Sequence, residues 1–78
     1  MTNKSINVAF RIDYLIKIKG TGTPDEMAKK LGISQRTLFN YLNYLKALGA
    51  PINYCKNRKS YYYDYDVKFF IGFLDNKV

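Results

Sequence analysis

The chain contains no histidine and a single cysteine, Cys55. One cysteine forms no intrachain disulfide, which fits a reducing, cytoplasmic setting. Without histidine or a second thiol, no metal site and no metal cofactor is expected. Acidic residues are few, and the six carboxylates include no pair placed for acid–base work. Gly20-Thr21-Gly22 has neither the lysine nor the length of a phosphate-binding P-loop. No catalytic residue, cofactor or small-molecule effector site is expected, so the chain does not read as an enzyme. No uncharged apolar run is long enough to cross a bilayer, and Met1 to Ser5 lacks the order of a signal peptide.

What is present is positive charge, and it is concentrated. The chain of 78 residues carries a net charge of +7. Between Met27 and Tyr63 lie seven cations (Lys29, Lys30, Arg36, Lys46, Lys56, Arg58 and Lys59) and no Asp or Glu, while the flanks balance at six basic and six acidic residues. A localised positive field attracts polyanions, meaning nucleic acid or an anionic membrane surface. Close to half the residues are hydrophobic, with eight Tyr and five Phe, so the chain is expected to fold rather than stay disordered. The length suits one domain over residues 1–78, with a core over about 7–65 and an aromatic tail over 66–78.

Periodicity divides the chain. Val8, Ile12, Leu15, Ile16 and Lys19 follow helical spacing from about Asn7 to Lys19, with Phe10 and Ile18 widening the apolar face, until Gly20-Thr21-Gly22 breaks it. Thr23-Pro24-Asp25-Glu26 has the pattern of a capping box with proline at the first helical position. Met27, Ala28 and Leu31 form the inner face of that short second helix, and Gly32 ends it. Ser34 caps a third helix running to about Leu48, with Leu38, Leu42 and Leu45 as its buried stripe, helped by Tyr41 and Leu48. Gly49 and Pro51 stop it. The period then becomes two: Pro51 to Cys55 and Ser60 to Tyr65 read as strands joined by the cationic turn Lys56-Asn57-Arg58-Lys59. Tyr61, Tyr63 and Tyr65 are expected to pack in the core, and Cys55 to act as a small buried hydrophobe. Residues 67–74 suit either a strand or a short helix.

Two short helices joined by a tight turn, the second capped by serine, make a helix-turn-helix. The run from Thr23 through Met27-Ala28-Lys29-Lys30-Leu31-Gly32-Ile33-Ser34-Gln35-Arg36-Thr37-Leu38 resembles the core of winged helix-turn-helix domains. It is most similar to those of biotin-repressor-type and DeoR-type bacterial regulators. Leu45 to Ile52 resembles that group's passage from recognition helix to wing, and the likeness covers roughly residues 8–65. It departs at Asn40 and Tyr41, where such domains often carry a basic and then an acidic residue. The resemblance implies a mainly α fold with a small β-hairpin (three helices plus a two-stranded wing) and a role in transcriptional control.

The residues support that expectation independently. With Leu38, Leu42 and Leu45 facing inward, Gln35, Arg36, Phe39, Asn40 and Asn43 project outward, where a groove-bound helix meets base edges. Arg36 matches guanine, while Gln35, Asn40 or Asn43 match adenine. Ser34 and Thr37 suit either a phosphate oxygen or plain capping, and Phe39 either a thymine methyl or the core. Lys56, Arg58 and Lys59 suit phosphates or the minor groove. The expected partner is double-stranded DNA, without membrane association. Phe69, Phe70, Ile71, Phe73 and Leu74 would supply a homodimer interface. The alternative is a winged helix used as a protein-interaction module through that aromatic tail. Binding to single strands or structured RNA would require exposed tyrosines.

Overall fold

A computed structural model describes residues 4–69, with side chains from Asn7 onward. The order of elements is α1 (Lys4–Lys17), α2 (Pro24–Leu31), α3 (Gln35–Ala47), β1 (Ile52–Cys55) and β2 (Ser60–Tyr63). The strands pair antiparallel, with Cys55 opposite Ser60 and Ile52 opposite Tyr63. This is the three-helix, two-strand winged helix-turn-helix arrangement that the resemblance implies.

All three helices end in the same way. Gly20 N–H donates to Leu15 O at 2.9 Å and Lys19 N–H to Ile16 O at 3.0 Å. Ile33 pairs with Ala28 and Gly32 with Lys29 after α2, as Ala50 pairs with Leu45 and Gly49 with Lys46 after α3. Each pair is a Schellman closure, which satisfies carbonyls the helix leaves unpaired. Gly32 and Gly49 supply the positive φ in two of them, but in α1 that position is Lys19, at φ 56°. The break therefore comes one residue before Gly20, and α1 ends at Lys17 rather than Lys19.

The capping box at α2 is complete: Glu26 N–H donates to Thr23 Oγ1 at 3.3 Å and Thr23 N–H to Glu26 Oε1 at 2.9 Å. The hydrogen bonds from Thr23, first the backbone one, hold the Glu26 carboxyl below its ordinary value. Gly22 makes room for this box. It sits at φ +72°, and a Cβ there would lie 2.5 Å from Glu26 Oε1.

Ile12, Ile16, Met27 and Leu38 are fully buried at the centre of the core. Val8, Ala28, Leu31, Leu42, Leu45, Ile52 and Tyr61 surround them. The root of the wing thus joins the same core as the buried stripe of α3.

Four further expectations change. Leu48 is 63% exposed, because α3 ends before it and the chain reverses at Gly49, leaving it on the rim. Cys55 is only half-buried, at the end of β1 where the hairpin leaves the body. Tyr65 is exposed and lies beyond β2. Pairing stops at Tyr63 because Asp64 N–H donates to Pro51 O at 2.8 Å, and Pro51 has no N–H to return. Residues 67–69 are neither strand nor helix, and 70–74 lie outside the described residues.

Candidate nucleic-acid interface

The last turn of α2, which leads into α3, is tied both to α1 and to the loop before α2. Arg11 of α1 donates from Nη2 to Lys30 O at 2.7 Å, and Lys30 Nζ donates to Gly20 O at 2.6 Å. Lys29 lies 3.5 Å from Asp25. Two cations of the basic stretch thus engage the domain's own groups.

Of the residues expected at the start of α3, three also have partners within the protein. Ser34 Oγ accepts from Thr37 N–H at 3.1 Å and donates to Thr37 Oγ1 at 3.0 Å. This is the capping role weighed against phosphate contact. Gln35 Nε2 reaches Asp25 Oδ1 at 3.4 Å. Arg36, Asn40 and Asn43 are exposed and make no side-chain hydrogen bond among the described residues. Phe39 is 41% exposed, so it lies outside the core, and Tyr44 is 62% exposed.

Lys56, Arg58 and Lys59 are all exposed on the four-residue loop joining β1 and β2. Lys59 turns the chain back into β2 at φ 53°, a conformation that disfavours a residue with a Cβ.

Three contacts position this wing, and residue patterns did not reveal them. Thr21, fully buried between α1 and α2, accepts from Tyr61 N–H through Oγ1 at 2.8 Å and lies 3.1 Å from Ser60 Oγ. Its hydroxyl donates to Gly22 O at 2.9 Å. Tyr61 N–H points away from β1, so a side chain supplies what a third strand would otherwise supply. Further along β2, Tyr63 Oη donates to Asp13 Oδ1 on α1 at 2.6 Å. Burial, and then the Asp13 carboxylate, push the Tyr63 phenol well above the ordinary tyrosine value. Burial, and then Tyr54, raise that of Tyr61. Tyr54 and Tyr61 pack edge to face, with ring centroids 4.9 Å apart. Asn53 Nδ2 donates to Asp64 Oδ2 at 2.6 Å. Nothing in a lone threonine flanked by glycines distinguishes Thr21 from a solvated loop residue.

Among the described residues no group of His, Cys, Asp or Glu is placed to hold a metal, and no helix is long and apolar enough to cross a membrane. No curated protein and no solved structure matches the chain. A family model described as an HTH domain matches residues 11–63, from the middle of α1 to the end of β2. That span takes in the α2–turn–α3 unit and the hairpin, so the chain belongs to the helix-turn-helix domain family, which supports DNA as its partner.

Proposed function

We propose that the protein is a transcriptional regulator of the biotin-repressor and DeoR-like type that binds double-stranded DNA sequence-specifically. In this reading α3 enters the major groove, while Lys56, Arg58 and Lys59 on the wing contact phosphates or the adjacent minor groove. One observation carries it: the outward line of α3 presents Arg36, Asn40 and Asn43 without hydrogen-bond partners among the described residues, in a stretch from Met27 to Tyr63 that has no carboxylate. A protein-binding face of this fold would be expected to be apolar or acidic.

The test is fluorescence anisotropy of a labelled duplex of about 25 base pairs across a salt series. Neutralising about five phosphates gives a slope of log K against log salt near −4 to −5. Replacing Lys56, Arg58 and Lys59 by Ala flattens that slope by up to about three units. No binding at low salt, or a slope that the substitutions leave unchanged, overturns the proposal. A dimer on paired half-sites, meeting through residues 69–74, extends it. Sedimentation equilibrium showing only monomer at roughly tens of micromolar would remove that extension alone.

A further inference from the structure

We infer that α3 reads a short site in which Arg36 takes a guanine and Asn40 and Asn43 take two adenines within about four base pairs. This rests on the placement of α3 in the major groove.

Helix geometry selects the readers. Leu38, Leu42 and Leu45 are the buried residues of α3. Moving two positions along a helix turns the side chain by about 200°, so the line Arg36–Asn40–Asn43 lies on the opposite side and continues to Ala47. Gln35 falls off this line and is drawn to Asp25, while Ser34 and Thr37 satisfy one another. The helix presents three polar side chains along its crest, all exposed.

Chemistry then limits what these three can read. A guanidinium offers only donors and pairs with the O6 and N7 acceptors of guanine. A carboxamide offers both a donor and an acceptor, which matches N7 and N6 of adenine. The usual reader of cytosine N4 is a carboxylate, which α3 lacks, and an asparagine on adenine uses its donor and its acceptor together where cytosine would use the acceptor alone. Arg36 and Asn43 are about 10.5 Å apart along the helix axis, or roughly three base steps of about 3.4 Å. Phe39 and Tyr44 flank the crest on opposite sides. The thymine opposite each adenine presents a methyl group to the groove, and Phe39 is an apolar surface suited to receive it.

The experiment is selection from a random duplex library, followed by anisotropy on the selected and a scrambled duplex. The wild type is expected to enrich one guanine and two adenines in a core of about four base pairs. Asn40→Ala and Asn43→Ala each relax one adenine, and Arg36→Ala relaxes the guanine. Each weakens the selected site by roughly 5- to 150-fold with much less effect on the scrambled duplex. All three positions are exposed, and circular dichroism checks that the variants keep the wild-type fold. Tight, salt-dependent binding with no such enrichment, or enrichment that the three variants leave intact, overturns this inference while leaving DNA binding standing. No binding to any duplex at low salt overturns the groove placement itself.

Discussion

Lys19 and Lys59 have the same backbone conformation for different reasons. Both sit at positive φ, 56° and 53°, where a side chain is strained relative to glycine. Lys19 closes α1, so Lys19→Gly is expected to stabilise the fold by about 0.5–1 kcal/mol, read as a higher urea midpoint. Lys59→Gly is expected to give a similar gain yet weaken DNA binding and flatten its salt slope by about one unit, because a wing cation goes with it. A rise in stability without that loss would show the cation to be idle. Neither strain could be read from the sequence. The pattern showed that α1 must stop near Gly20, but backbone dihedrals follow from the closure that forms, and it formed around the preceding lysine. The partnering of Ser34 with Thr37 was legible as one of two roles, since both lie within one helical turn.

The elements themselves were largely readable because their signals are local. The Thr23–Glu26 box, the Ser34 cap and the change of period after Pro51 each act within four or five residues. The fastening of the wing was not readable, because its contacts join residues far apart in the chain. Thr21 and Tyr61 are 40 positions apart, and Asp13 and Tyr63 are 50. Thr21→Val keeps the shape but leaves the buried Tyr61 N–H unpaired, a loss of about 1–3 kcal/mol. Thr21→Ser is expected to keep most of the stability. Comparing the urea midpoints of the two variants separates the hydroxyl from the methyl, and amide exchange at Tyr61 should quicken only in the valine variant. Equal effects would place the contribution of Thr21 in packing instead. The strand ends also lay beyond simple alternation, which carried β2 on to Tyr65. Pro51, just before β1, ends the pairing at Tyr63, and its effect appears only once the register is known.

For the molecule as a whole, alkaline pH is a point of weakness. Tyr61 and Tyr63 hold their protons more tightly folded than unfolded, so above the ordinary tyrosine value the folded chain binds more protons. Their contribution to stability is complete below about pH 10 and declines as pH rises past it. Urea midpoints measured from about pH 9 to 11 should fall, and Tyr63→Phe should make the fall shallower while lowering the midpoint at neutral pH. A wild-type midpoint independent of pH in that range would contradict the buried phenols. At the other end of the scale the proposed DNA face is expected to be inert. From Met27 to Tyr63 there is neither histidine nor carboxylate, so no side chain there changes charge between about pH 5 and 7.5. If this face grips DNA as proposed, a change of pH over that range is expected to leave the grip untouched. Dissolved salt, multivalent counter-ions and competing polyanions are expected to loosen it, so the domain would respond to the ionic make-up of its surroundings and be deaf to their sourness.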